Sequence, residues 1–343
     1  MQCPVPLDKY PHIQLAHGGG GKLMQDLVSN MFRAAFDNAH LGGQTDSAVL
    51  DIPAGRTAFT TDSYVVSPLF FPGGDIGSLA VYGTVNDLAT SGANPLYLSA
   101  GFIIEEGFSM ETLWKITQSM AEAAKETGVM VVTGDTKVVE RGKCDGVYIN
   151  TSGIGTIEHD LDISPRSIKE GDAVLITGDI GRHGSAVMSA REHLGFEGGI
   201  KSDSAPLADM VAGLIEAEID IHCLRDLTRG GLAAALNEIA SAAGCSIDIV
   251  ESAVPVSREV SAFCEITGID AYHIANEGRM AIFLPHEFAE DCLGLLIERD
   301  KINLPSLIGR VIFDGKSRVR IENPYGVIRI LDIPSGELLP RIC

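Results

Sequence analysis

Carboxylates set inside otherwise apolar runs constrain this chain more than any other feature. Residues 57–66 alternate as a strand, yet Asp62 sits within the run Thr57-Ala58-Phe59-Thr60-Thr61-Asp62. Aspartate is disfavoured in strands, so Asp62 needs a turn, a cation or the strand's end. Asp75 reads as the N-cap of a helix to about Ser91. Asn86 and Asp87 fall in the middle of that helix, where both residue types are poor. Small neighbours, Gly83 and Thr84, leave room there for a ligand; a local bend with solvated polar groups is the competing reading. Val129-Met130-Val131-Val132 is a short continuous apolar run, hence a buried strand, and it leads into Gly134-Asp135-Thr136-Lys137. Polar groups just past the carboxyl end of a buried strand are where ligand sites collect; a capped turn is the plain alternative. Asp46 lies in the polar connector 38–56, and Asn150 is a polar break in the strand that runs from Val147 to Ile157.

The rest of the chain alternates helical and strand patterns without the regular βαβ order of one doubly wound sheet. A mixed α/β (α+β) fold of two domains is expected at 343 residues. The expected divisions are a Gly-rich segment 1–45, a domain 46–158, a linker near 159–170, a domain 168–324 and a tail 325–343. Early in the chain, His17-Gly18-Gly19-Gly20-Gly21-Lys22 precedes a helical pattern. Four glycines before a helix let backbone N–H groups converge on an anion, although the spacing to Lys22 is not that of a P-loop and a plain flexible loop fits as well. In the second half, Arg229-Gly230-Gly231 opens a helix, again an anion-binding arrangement with a guanidinium added.

With 45% hydrophobic and 21% charged residues the chain can build packed cores. No apolar run has membrane-spanning length, and the first residues lack the regions of a signal peptide, so a cytoplasmic protein with no membrane association is expected. Seven cysteines, widely spaced and without C-x-x-C, argue against a disulfide framework or a zinc site. The five interior ones read as small buried hydrophobes. The net charge of −20 excludes nucleic acid as a partner. Phosphate chemistry on so acidic a chain needs metal ions between like charges. The chain ends on a thiol, Cys343, beyond Pro334, Gly336 and Pro340, which together predict an extended arm. The α-carboxylate of the same residue disfavours a thiolate, so activation of that sulfur needs help from elsewhere.

Several segments carry a resemblance. Thr60-Thr61-Asp62-Ser63, Val85-Asn86-Asp87-Leu88-Ala89, Thr133-Gly134-Asp135-Thr136-Lys137, Asp226-Leu227-Thr228-Arg229-Gly230-Gly231 and Ala275-Asn276-Glu277-Gly278 resemble the ATP-binding superfamily of aminoimidazole ribonucleotide synthetase and selenophosphate synthetase. Within it, Gly134-Asp135-Thr136-Lys137-Val138-Val139, the Gly-rich stretch and the terminal Pro340-Arg341-Ile342-Cys343 are similar to the carbamoyl dehydratase family of hydrogenase maturation. The resemblance covers nearly the entire chain. It implies a two-domain fold whose N-terminal halves pair into a barrel across a homodimer, with ATP and Mg²⁺ bound. It further implies that a partner carbamoyltransferase loads Cys343, that ATP drives dehydration of the carbamoyl group to a thiocyanate, and that the cyanide passes to iron on a partner scaffold for the [NiFe] hydrogenase centre. Cys343, Glu277 and Lys137 would do the chemistry. Gly18, Gly19, Gly20, Gly21, Lys22, Asn86, Thr136, Asn150, Arg229 and Gly230 would hold the nucleotide, and Asp46, Asp62, Asp87 and Asp135 the metal.

The chain departs from its relatives in places. Thr45 precedes Asp46 where relatives often show two adjacent acids, Lys22 is not a required position, and the Gly-rich loop lacks the reactive cysteine or selenocysteine of selenophosphate synthetase. Another ATP-dependent synthetase of the superfamily, or a non-catalytic carrier with a loadable tail, are the alternative readings.

Overall fold

The structure, a computed structural model, describes residues 10–43, 47–191, 199–299, 303–333, 336 and 339–343. Asp46 lies outside them. The chain begins with α1 (Lys22–Leu27), a π turn at Val28–Phe32 and α2 (Arg33–Phe36). It continues through β1 (Arg56–Tyr64), the short β2 (Phe70–Phe71) and β3 (Gly74–Asp75), and α3 (Ile76–Ala89). Then come β4 (Asn94–Glu105), α4 (Met110–Glu126), β5 (Met130–Val139) and β6 (Val147–Ile157). These strands make a four-stranded sheet ordered β1-β6-β4-β5, antiparallel except for the β4/β5 pair.

The second sheet has seven strands. Chain order there is β7 (Ala173–Ile176), α5 (Arg182–Arg191), α6 (Ala208–Glu216), β8 (Cys223–Asp226), α7 (Gly231–Ala243), β9 (Ser246–Val250), α8 (Arg258–Thr267) and β10 (Met280–Leu284). It ends with α9 (Ala289–Arg299), β11 (Ser306–Ile312), β12 (Arg318–Glu322) and β13 (Ile328–Ile330). The sheet order is β13-β12-β9-β11-β7-β10-β8.

Helix α3 is the hinge pin of the arrangement. Asp75 caps it through bonds from the Gly77 and Ser78 amides, as its sequence predicts. It is apolar on nearly every side, with Leu79, Ala80, Val81, Val85 and Leu88 all buried. Such a helix must be covered all round; the first sheet and α4 cover one side and α6 the other. By contrast α4, capped by Ser109, carries one apolar stripe of Leu113, Ile116 and Met120, all buried.

Three expectations need correction. β5 does not end before the Gly134-Asp135-Thr136-Lys137 segment; it runs through it to Val139. As an edge strand with one uncovered face it tolerates alternate polar side chains. Asn150 does not break β6, which is continuous, because its side chain bonds across to β1. The stretch from 325 is not all free arm, since β13 pairs with β12. Among the described residues no cysteine is in a disulfide; Cys223, Cys245 and Cys292 are buried as expected, but Cys144 and Cys264 are only partly so. No helix among the described residues is long and apolar enough to cross a membrane.

Candidate active site

Adjacent residues of a strand face opposite ways, and this alternation sorts the expected site residues. Thr60 and Asp62 of β1 face α3: the Thr60 hydroxyl donates to Asp87 Oδ2 at 2.8 Å. Thr151, the register partner of Asp62, donates to the α3 carbonyl of Ala80 at 2.9 Å. Asp226 ends β8 opposite Met280, and Glu277 lies in the loop entering β10 at that same end. Asp62, Asp87, Asp226 and Glu277 therefore converge where the two sheets meet around α3.

The electrostatics report that convergence. Burial, then Asp226, push the Asp87 carboxyl up to about 6, against the opposing bond from Thr60. Asp226 is also pushed up, by burial and by Asp62. Glu277, only 4% exposed, is held well above the glutamate range by burial and by Asp226, Asp203, Asp62 and Asp87. Its Oε1 and the Oδ1 of Asp203 are buried without a hydrogen-bond partner. Asp203 Oδ2 accepts from the Glu277 and Gly278 amides at 3.1 and 3.0 Å and so fixes the Glu277 loop. Hard oxygen donors that raise one another's proton affinity suit a divalent cation. Yet no group of three or more such side chains among the described residues is spaced to ligate a metal.

Cys343 comes to the same place. Residues 339–343 fold back along 65–67, with Val65 N–H donating to the Cys343 carboxylate at 3.1 Å and Ser67 N–H to the Arg341 carbonyl at 3.2 Å. Ile342 is buried, and the Arg341 side chain donates to the Val65 carbonyl, pairs with Asp145 and lies over the Tyr148 ring. The thiol is pushed far up by burial and then by Glu277, while Arg229 opposes the shift. The arm is thus seated, its sulfur within the field of Glu277, Arg229, Asp62 and Asp226. Burial in this pose favours the thiol over the thiolate.

Other expected residues are placed differently. Asp135 pairs in register with Gly101, and Gly101 with Asn150, so both side chains stand on the sheet face opposite Asp62. Lys137 shares that face and pairs with Asp135 at 2.6 Å, which holds the Asp135 carboxyl below its ordinary range. From β1 to β5 is three strand spacings, about 14 Å. Within one chain, then, Asp135 does not join Asp62 and Asp87, and Lys137 is bonded to Asp135 rather than paired with Glu277. Asn86 is also not free for a nucleotide. Its amide nitrogen donates to the Ala205 and Glu277 carbonyls and its oxygen accepts from Leu207 N–H at 2.7 Å, which clamps α3 to the second half of the chain.

The Gly-rich loop packs on β5. A Cβ at Gly18 would stand 2.6 Å from the Val138 nitrogen, and Gly20 has φ +75°. Gly21 is the N-cap of α1 and Lys22 its first residue. Gly20 and Thr136 line a cavity of about 740 Å³ with Phe32, Phe102 and Asp135. Gly230, at φ +75°, is the N-cap of α7, and Arg229 is exposed beside it. Sequence reasoning missed Asp226, Asp203, His183 and Arg191 as site residues. Asp226 had a visible signal, a carboxylate at a strand end before Thr-Arg-Gly-Gly; the other three are brought in only by tertiary contacts.

Comparison with known proteins identifies the family. AIR synthase related proteins match in both parts, the N-terminal domain over residues 44–157 and the C-terminal domain over 169–322. Carbamoyl dehydratase HypE of Azotobacter vinelandii is 48% identical over 331 residues, 96% of this chain and 97% of that protein. A solved structure of hydrogenase maturation protein HypE in complex with ATP superposes with a TM-score of 0.93 at 46% identity, covering 96% of this chain and 99% of its own. A solved HypE–HypF complex matches with a TM-score of 0.79 at 48% identity, over 92% of this chain and all of that one. An AIR synthase-related fold, near-complete coverage and a cysteine-tipped tail seated among acids place the chain in the HypE family of carbamoyl dehydratases, the hydrogenase maturation proteins.

Proposed function

We propose that this chain dehydrates a carbamoyl group carried on Cys343 to a thiocyanate, at the expense of ATP. The observation that carries the reading is the seated tail, which holds the Cys343 thiol in the field of Glu277 and Arg229. The carbamoyl oxygen attacks the γ-phosphorus and ADP leaves. The carbon–oxygen bond then breaks, phosphate departs with that oxygen, and the nitrogen loses both protons to leave S–C≡N. An amide oxygen is a poor leaving group and phosphate a good one, so the protein's task is positioning and charge compensation.

Glu277 is the proton acceptor. In the resting chain it holds a proton, and it becomes a base once the surrounding negative charge is offset. Asp62, Asp87 and Asp226 are not spaced to chelate an ion by themselves; they would hold hydrated Mg²⁺ together with the nucleotide phosphates, where it would supply positive charge. Arg229 offers a guanidinium to the same phosphates. Gly20 of the Gly-rich loop and Thr136 line the 740 Å³ cavity, a size that suits a nucleoside. The closed tail excludes water from an activated carbamoyl that would otherwise hydrolyse.

The open face of the first sheet supports a homodimer. Phe59 (70% exposed), Ile103 (46%) and Met130 (38%) are bare on it, beside the polar row of Ser63, Asn150 and Asp135. A second copy's sheet covers this face, and Asp135, Lys137 and Asn150 then lie inside the interface and complete the site. A carbamoyltransferase loads the tail, and an iron-carrying scaffold accepts the cyanide.

The direct test is peptide mass analysis of protein carbamoylated on Cys343 and given Mg-ATP. The terminal peptide should lose the mass of one water. An adduct unchanged after ATP has been hydrolysed rejects the reading.

A further inference from the structure

The described carbonyls of the last four residues are all held, and the holding groups come from two directions. The 65–67 segment donates to the Arg341 and Cys343 oxygens, two residues apart, in the alternation of an antiparallel strand pair. Helix α5 takes the Pro340 and Ile342 oxygens and shares that of Arg341. Arg191 Nη1 donates to the Pro340 carbonyl and Nη2 to the Arg341 carbonyl, both at 2.8 Å, while its Nε donates to Ser67 O at 2.9 Å. His183, with 0% exposure, meets the Ile342 carbonyl through Nε2 at 2.9 Å.

A carbonyl only accepts, so His183 Nε2 carries the proton, and Nδ1 accepts from the Ser202 hydroxyl at 2.8 Å. Ser202 Oγ in turn accepts from Ser204 N–H at 3.0 Å. The ring is therefore fixed in one tautomer by a directed chain. Gly184, beside it, leaves the space that Leu339 occupies.

We propose that α5 is the clamp that registers the tail, with His183 and Arg191 as positioning residues that divide Cys343 between loading outside the cleft and dehydration inside it. The contacts are to main chain, so they fix register: a slip of one residue moves the sulfur by about 3.3 Å and breaks every bond named. The division between loading and dehydration rests on the function proposed above, whereas the grip itself does not.

The experiment uses the full chain and the variants Arg191→Gln and His183→Ala. Alkylation of Cys343 by iodoacetamide is followed by mass analysis, with the partly exposed Cys264 as a reference thiol for the fold. Alkylation of Cys343 should become about tenfold faster in each variant, with Cys264 unchanged. Carbamoyl loading by the transferase should persist, while dehydration per loaded chain falls by a similar factor. Unchanged Cys343 alkylation in both variants overturns the clamp. Faster alkylation with undiminished dehydration per loaded chain overturns the positioning role. Failure of dehydration in the parent protein defeats the functional reading, and the alkylation arm still decides the clamp. Should Arg191→Gln not fold, Arg191→Lys, which keeps the charge but loses the fork, is expected to show the same split in smaller degree.

Discussion

Replacing Asp87 by Asn should stabilise the resting protein and destroy its site, and both effects follow from one environment. Burial and the neighbouring Asp226 and Asp62 push the Asp87 carboxyl up to about 6. The gap from an ordinary aspartate at about 3.9 corresponds to about 3 kcal/mol undiluted. The side chain is partly exposed, so solvent reduces this to roughly 2 kcal/mol. The folded carboxyl binds its proton more tightly than the unfolded one, so its contribution is favourable at low pH and is lost as pH rises through 6. Asn cannot ionise and can still accept from Thr60. The variant should therefore melt about 3 °C higher than the parent at pH 8, with most of the difference gone by about pH 4. Thermal melts in the absence of divalent cations and nucleotide give the stability; calorimetry with Mg-ATP gives the affinity, which should collapse. A variant equally or less stable at pH 8, or a gain that does not depend on pH, would show that the acids do not repel one another there. Unaltered Mg-ATP affinity would remove Asp87 from the metal site.

Other substitutions probe the remaining parts. Glu277→Gln should bind nucleotide normally yet form no cyano adduct, while the parent's dehydration rate should rise with pH, as expected from a carboxyl held well up; normal adduct formation in the variant assigns the base elsewhere. Gly18→Ala places a methyl 2.6 Å from the Val138 nitrogen, displaces the loop and should weaken nucleotide binding by about tenfold, or ~1.4 kcal/mol; an unchanged Kd in calorimetry separates the loop from the site. Phe59→Glu puts a charge on the bare sheet face and should give monomers by sedimentation with an unchanged circular dichroism spectrum, whereas intact dimers would move the interface to another surface.

Much of the architecture was readable from residue order because its causes are local. Asp75 and Ser109 cap helices through amides two or three residues away, and the stripe of Leu113, Ile116 and Met120 is a property of one helix. Asp62 and Asp87 stood out because a carboxylate inside an apolar run is costly unless something distant compensates it. What compensates it was not legible. Whether Asp135 joins Asp62 depends on which face of the sheet each occupies, and the end of β5 was misplaced because an edge strand with an open face accepts the polar residues that would terminate a central one. Asn86 looked like a ligand and proved to be a clamp, since its partners are backbone groups more than a hundred residues away.

The chain's order alone determined that a sulfur stands at its end on a stretch that neither helix nor central strand can absorb, and that acids interrupt its apolar segments. Only the tertiary structure decided that this sulfur lies in the field of Glu277, because the seat of the tail is built from α5 and the 65–67 segment, which are joined to it by hydrogen bonds that no local pattern encodes.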